Sequence, residues 1–126
     1  MNDMKKIYAL YRGNNTEEIE TQKQACYNYV KLQGWEISKE FSEDNGIYED
    51  KIDSLILIHD EALKQEIDIL LVYDFNTISK DEMEIPLAVC WFIEMGIDVV
   101  SVRNEKRDFF KERSDLLEIS EKYRNW

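Results

Sequence analysis

The stretch "IYALYRGNN", residues 7–15, joins an apolar segment to a short polar loop. The apolar part, "KKIYALY" over 5–11, predicts a buried β-strand. A helical pattern then begins with a capping signature at Thr16 and is predicted to end at Gly34, because glycine favours the C-cap position. Loops of this kind often carry function in α/β proteins, and this one offers one arginine, one glycine and two asparagines.

The rest of the chain repeats this alternation of strand and helix. Strands are predicted at 35–41, 67–74 and 97–102, and helices from about Asp53, over about 82–94 and from about Glu105. The order predicts a three-layer α/β fold with a mostly parallel central sheet of about four to five strands. Helices flank this sheet, as in flavodoxin-like proteins, and a C-terminal helix follows it.

Composition indicates a single domain over residues 1–126. The chain is 44% hydrophobic and 34% charged, and it has only four glycines and one proline, so no linker or domain boundary is visible. We expect the core at about 4–102, the C-terminal helix at about 105–124, and no separate DNA-binding domain after it. Neither a signal-peptide pattern nor an apolar run near the roughly 20 residues that span a bilayer is present. A cytoplasmic protein without membrane association is therefore expected.

The charge balance restricts the partners. With 27 acidic and 16 basic residues, the formal net charge is −11. A field of this sign repels phosphate polyanions and gives no electrostatic basis for non-specific nucleic-acid binding. We expect DNA binding to be weak or indirect.

The motifs of common cofactor sites do not occur in the sequence. There is no G-x-G-x-x-G, no P-loop and no H-E-x-x-H, so we expect no cofactor. Cys26 and Cys90 lie in apolar helical patterns without a C-x-x-C spacing and are predicted to be buried thiols. His59, the only histidine, is predicted to have a structural or surface role.

Four loops follow the predicted strands at the sheet edge where open α/β sheets place their sites. They lie at 11–15, 42–50, 74–80 and 102–106. The second loop is rich in carboxylates, which bind Mg²⁺ or Ca²⁺ through oxygen atoms, and Asp44 with Asp74 is the pair to consider for a metal. The acidic loop has no EF-hand spacing, so a solvated loop is the favoured interpretation.

The order of these loops resembles the catalytic domain of the serine recombinases, the resolvase and invertase family. The similarity covers about residues 4–102 in unbroken register. It rests on these segments: Tyr8 to Arg12, "QKQAC" (22–26), "LQGWEI" (32–37), "EFSEDNGI" (40–47), "IDILLVYDFNTISK" (67–80) and "FIEMGIDVVSV" (92–102). Each segment alone is a weak signal, whereas together and in order they imply a resolvase-like fold.

The resemblance implies a specific chemistry. In this family a serine hydroxyl attacks a DNA phosphodiester, and arginines stabilise the charge that develops on the phosphoryl oxygens. In register, Arg12 stands at the position of the nucleophile and Leu10 at that of an arginine. A later family arginine falls on Ile52, or on Lys51 if the register slips by one.

A second family motif, D-x-x-R-x-x-R, is also incomplete. Asp74 is kept, but its two arginines are replaced by Thr77 and Lys80. Lysine keeps the charge and lacks the planar fork of a guanidinium. The resemblance therefore implies a catalytically inactive domain that acts by protein association, as a homodimer or with a related recombinase, and modulates DNA recombination or a mobile element.

Two alternatives stay open. A displaced nucleophile, Ser42, Ser79 or Tyr11, would preserve DNA strand exchange if Arg12, Lys80 and Arg103 surrounded it, although packing in the sheet is the favoured role of Tyr11. A flavodoxin-like module would instead bind an anion with Arg12 and the amides of residues 13–15 at a helix N-terminus.

The C-terminal helix carries an apolar stripe. Phe109, Leu116 and Tyr123 are spaced seven residues apart, with Phe110 and Leu117 beside them, on an otherwise charged segment. The stripe predicts either packing against the sheet layer or self-association. The resemblance adds weight to self-association, since the helix after the core builds dimer contacts in that family.

Overall fold

The computed structural model describes residues 5–44, 54–103 and 106–124. Its strands are β1 (Ile7–Gly13), β2 (Lys39–Asp44), β3 (Ile69–Val72) and β4 (Asp98–Ser101). Its helices are α1 (Thr16–Gln33), α2 (Ser54–Ala62), α3 (Glu84–Glu94) and α4 (Phe109–Arg124), and a single 3₁₀ turn spans Phe75–Thr77. Lys51, Ile52 and Glu105 lie outside the described residues.

The four described strands form one parallel sheet in the order β2-β1-β3-β4. Strand β1 is central, and it is buried along its whole length. The predicted α/β class, with a parallel sheet flanked by helices and a C-terminal helix, is confirmed. None of the helices in the described ranges has the length and apolar character that a bilayer-crossing segment requires.

The two faces of the sheet bury two separate cores. Alternate residues of β1 point to opposite faces, so Tyr8 and Leu10 pack with α2 and α3, whereas Ala9 and Tyr11 pack with α1. The same alternation directs Arg12 toward the α2 and α3 side, into the layer above Leu10. Strand β1 therefore also places this arginine at the carboxyl edge of the sheet.

Two of the predicted helix starts were wrong. The N-cap of α1 is Asn15 and not Thr16, because the Asn15 side chain accepts a hydrogen bond from the Glu18 amide at 2.9 Å. Gly34 does form the C-cap, with φ at 76°. Helix α4 is assigned from Phe109 and not from about Glu105, since the Asp108 carboxylate accepts from the Lys111 amide and caps the first turn.

Strand β2 begins at Lys39 and not at residue 35. The Trp35 amide is used by the end of α1, where it donates to the Val30 carbonyl at 2.8 Å. Trp35 and Ile37 nevertheless pack against the α1-side core. Their alternation with polar residues therefore identifies side chains that point inward, although the backbone hydrogen bonds of β2 begin only at Lys39. The predicted strands 67–74 and 97–102 likewise shorten to the bounds of β3 and β4.

Gly13 permits a close contact between the end of β1 and the first turn of α1. A Cβ atom at this position would lie 2.8 Å from the Glu18 Cβ and 3.3 Å from the Ile19 Cγ1. The Glu18 Cβ is fixed directly to the helix backbone, so it has no side-chain torsion with which to move away. The turn from strand to helix therefore requires glycine for space.

We expect Gly13→Ala to destabilise the protein by about 1–3 kcal/mol through overpacking. Chemical denaturation of the wild type and the variant measures this difference. Glu18→Gly removes the opposing Cβ, so Gly13→Ala should cost much less stability in the Glu18→Gly background than in the wild type. If the costs of the two substitutions simply add in the double variant, the steric explanation is wrong.

Candidate functional site

A cavity of about 750 Å³ opens at the carboxyl edge of the sheet. It lies between α2, α3 and the segment that follows β3. Parallel sheets usually bind their ligands at this edge. Arg12, Thr77 and Lys80 are among the residues that line it. Three of the positions aligned with catalytic residues in the resemblance are therefore brought together here.

Arg12 is 6% exposed and turned into the protein. Its Nε donates to Glu43 Oε2 at 3.1 Å, and its Nη1 donates to the carbonyl oxygens of Thr77 at 2.9 Å and Ile78 at 2.6 Å. Its backbone is held as well, because its amide donates to Gln22 Oε1 and its carbonyl accepts from Gln22 Nε2. The guanidinium thus braces β1 against β2 and the 3₁₀ turn.

Glu43 is the counter-charge of this arginine. The two residues are Cα partners in the β1–β2 register, and Glu43 Oε2 also accepts from the Ser54 amide at the start of α2, at 3.0 Å. Burial alone would raise the pKa of this carboxyl. The hydrogen bonds from Ser54 and the charge of Arg12 outweigh that effect and hold the pKa below its ordinary value of 4.5.

Of the other aligned positions, Leu10 and Thr77 are buried and Lys80 is exposed. Leu10 is completely buried in the core shared with α2 and α3. Thr77 is 8% exposed and contributes its carbonyl to Arg12, whereas Lys80 is exposed at the cavity. Ile52 and its neighbour Lys51 fall outside the described residues, so their roles stay predictions.

Asp74 begins the segment after β3. Its Oδ1 accepts from the Asn76 amide at 2.9 Å and so caps the 3₁₀ turn, and its Oδ2 lies 3.7 Å from the Nε of Arg103. The side chain of Asp44 is not described, which leaves the proposed metal pair untested. Within 5–44, 54–103 and 106–124, no group of three or more histidine, cysteine or acidic side chains is arranged to hold a metal ion.

The three cations of the displaced-nucleophile alternative have different surroundings. Arg103 pairs with Asp74 and lies 5.9 Å from the Tyr73 ring centre, and it does not line the cavity. Ser79 does line it, but its hydroxyl donates to Glu84 Oε2 at 2.7 Å and accepts from the Asp81 amide. A carboxylate therefore holds the serine nearest to Lys80.

Tyr11 lies on the opposite face of the sheet from Arg12. It is completely buried, and its hydroxyl donates to Glu40 Oε2 at 2.7 Å, an oxygen that also accepts from Tyr27. Burial, followed by this hydrogen bond, raises the pKa of Tyr11 far above its ordinary value. Its predicted packing role is confirmed, and a phenol of this kind is a poor nucleophile.

The remaining candidates also pack. Cys26 and Cys90 are buried free thiols, as predicted, and burial raises the pKa of Cys26 to about 12. The His59 ring stacks on the Trp91 indole with ring centres 3.7 Å apart, which fits the predicted structural role.

The first loop already contains an internal anion. The Asn14 amide donates to Glu18 Oε2 at 2.7 Å, and Arg12 is turned inward. An external anion at this helix N-terminus would have to displace the Glu18 carboxylate. The geometry therefore offers little support for the anion-binding alternative.

The sequence places Glu43 among the carboxylates of the acidic loop and does not identify it as the partner of Arg12. A signal for it existed, because Glu43 is two residues beyond Phe41, whose ring packs against the α2–α3 side core. A carboxylate in that position of a strand points inward and needs a partner. Arg12 is the residue opposite.

Comparison with known proteins gives one consistent result. The family described as "Resolvase, N terminal domain" matches residues 12–120. No curated protein is significantly similar in sequence. Among solved structures, the N-terminal catalytic domain of TP901-1 integrase has a TM-score of 0.68 at 20% identity, over 79% of this chain and 78% of that one.

Two further structures have the same fold. The C-terminal catalytic domain of ISC1926 TnpA, an IS607-like serine recombinase, has a TM-score of 0.67 at 17% identity, over 90% of this chain and 80% of that one. A resolvase family site-specific recombinase from Streptococcus pneumoniae has a TM-score of 0.68 at 16% identity, over 96% and 89%.

We expect Glu43→Gln to destabilise the protein by about 1–3 kcal/mol at pH 7, because a neutral amide compensates the buried guanidinium poorly. The sign of the pH dependence follows from the lowered pKa. The carboxylate's contribution is complete above the ordinary value of 4.5 and is lost as the pH falls through the lower folded value. Urea unfolding at several pH values should therefore show the two proteins converging in acid.

The matched control is Asp115→Asn, which disrupts the Lys111–Asp115 pair, whose side chains are 70% and 56% exposed. That change should leave stability unaltered, since exposed pairs contribute little. A constant difference between wild type and Glu43→Gln down to strongly acidic pH would show that charge is not the cause.

Proposed function

The chain belongs to the resolvase N-terminal domain family, and we propose that it is a catalytically inactive member that acts by protein association. It would pair with a second copy or with a related recombinase and in this way modulate DNA recombination or a mobile element. The observation that carries the proposal is the state of Arg12, which is buried in an ion pair with Glu43. In the resemblance, this residue stands at the position of the nucleophile.

Strand cleavage in this family requires a hydroxyl that attacks phosphorus and cations that stabilise the phosphoryl oxygens. A guanidinium cannot act as that nucleophile, since it stays protonated. Arg12 also donates to Glu43 and to the Thr77 and Ile78 carbonyls, so its charge is compensated inside the protein. Each missing cationic donor commonly costs on the order of 100-fold or more in rate.

The electrostatics at the cavity point in the same direction. Asp81 and Glu84 line it beside Lys80, and the whole chain has a formal net charge of −11. A DNA phosphate approaching this edge would meet carboxylates and a long-range negative field. These features support a role that does not involve DNA chemistry.

We expect the purified protein to leave DNA uncut and to form no covalent protein–DNA adduct. The measurement combines nicking of supercoiled plasmid that carries the DNA flanking its own gene with denaturing gels of labelled duplexes from the same region. A catalytically competent serine recombinase on its own site is the positive control. Any adduct that survives denaturation would refute the proposal and point to a displaced nucleophile.

Helix α4 provides the surface for association. Phe109 is buried, with its ring 4.8 Å from that of Phe75, and Leu116 is half-buried, so this part of the apolar stripe packs within the domain. Phe110, Leu117 and Ile119 are 45%, 57% and 52% exposed. The side chain of Tyr123 is not described.

The second half of α4 is little covered by the other residues that the structure describes. Every residue from 117 to 122 is exposed, while the first half is held by Phe109 and by the Arg113–Glu94 pair at 3.0 Å. Isolated helical turns are marginal in water, and packing of an apolar face is what stabilises them. A second helix against Leu117 and Ile119 would supply that packing.

We expect Leu117→Glu to abolish self-association, because it places a charge in the contact. Leu32→Glu is the matched control, since Leu32 is 85% exposed on α1, outside α4. Sedimentation velocity across a concentration series measures the change, and circular dichroism confirms that both variants are folded. Identical association of wild type and Leu117→Glu would exclude α4 as the interface.

A further inference from the structure

The cavity continues from Arg12 into an apolar groove between two helices. Leu55 and Ile56 of α2 form one wall, and Leu87, Ala88 and Trp91 of α3 form the other. We call these five residues the α2–α3 groove. Arg12 also lines the cavity, but its charge is paired with Glu43, so the groove is the part of the cavity that presents apolar surface to a ligand.

Three large side chains in the groove are substantially exposed. Ile56 is 46% exposed, Leu87 45% and Trp91 40%, and all three line the same cavity. Single exposed apolar residues are ordinary, whereas a contiguous group around a concave surface marks an interaction site. The stacking of His59 on the Trp91 indole orients this ring, and an oriented tryptophan beside a pocket is typical of a binding hot spot.

The charges around the groove select the kind of partner. Among the described residues that line the cavity, the exposed charged side chains are Asp81, Glu84 and Lys80, so carboxylates predominate. Arg12 lies below them and is neutralised by Glu43. The net charge of −11 adds a long-range attraction for cations.

We propose that the α2–α3 groove binds a basic amphipathic segment of a protein partner. Its apolar side chains would enter between Ile56, Leu87 and Trp91, and its lysine or arginine side chains would face Asp81 and Glu84. Grooves between helices commonly accept such segments in this way. The inference extends the proposed function, since it assumes that the protein acts by association, but it concerns a surface separate from α4.

The test uses two helical peptides of about 14 residues, one of leucine and lysine and one of leucine and glutamate in the same repeat. Binding is followed by the indole N–H signals of the three tryptophans in ¹H–¹⁵N spectra, with Trp91 assigned by Trp91→Phe. We expect the lysine peptide to shift the Trp91 signal in a saturable manner and the glutamate peptide to leave it unchanged.

Matched variants locate the site. Leu87→Ser should weaken binding of the lysine peptide by at least about 10-fold, whereas Leu32→Ser should not change it. The double variant Asp81→Asn with Glu84→Gln keeps the oxygens that accept from the Met83 amide and from the Ser79 hydroxyl. Because it removes both negative charges, it should reduce the preference for the lysine peptide. Thermal unfolding confirms that the variants are folded.

An unshifted Trp91 signal in the presence of the lysine peptide, or equal binding of the two peptides, would overturn the proposal. The α4 variant Leu117→Glu should bind the lysine peptide as the wild type does. If the groove variants fail while Leu117→Glu still disrupts self-association, only the groove inference is lost and the proposed function stands.

Discussion

The buried guanidinium of Arg12 is the constraint on which the carboxyl edge of the sheet depends. A charge that is 6% exposed must be compensated nearby, because its hydration is lost. The partners come from separate parts of the chain: Glu43 on β2 and the two carbonyls at the 3₁₀ turn, while the Ser54 amide completes the carboxylate's bonding. One side chain thereby sets the relative positions of β1, β2, α2 and the segment after β3.

Much of the fold was predictable because hydrophobic periodicity reports burial. The apolar run around Leu70 identified a strand covered on both faces, and Gly34 identified the end of α1. Boundaries were less predictable, since they depend on individual hydrogen bonds. Asn15 competes successfully with Thr16 for the cap, and the Trp35 amide closes a helix before β2 begins.

The site was only partly predictable. The positions of Arg12, Thr77 and Lys80 followed from the order of the motifs, and the structure places all three at one cavity. The orientation of Arg12 did not follow, because a sequence does not state whether a charged side chain at a strand end faces solvent or the interior. That choice depends on Glu43, whose register opposite Arg12 becomes visible only once β1 and β2 are paired.

The inward anchoring of Arg12 also restricts which residue position 12 can hold. A serine at position 12 would carry a hydroxyl, yet it would lack the donors that neutralise Glu43 and satisfy the Thr77 and Ile78 carbonyls. That substitution would therefore reduce the stability of the fold. The residue at position 12 is therefore fixed by folding, whatever chemistry this edge of the sheet performs.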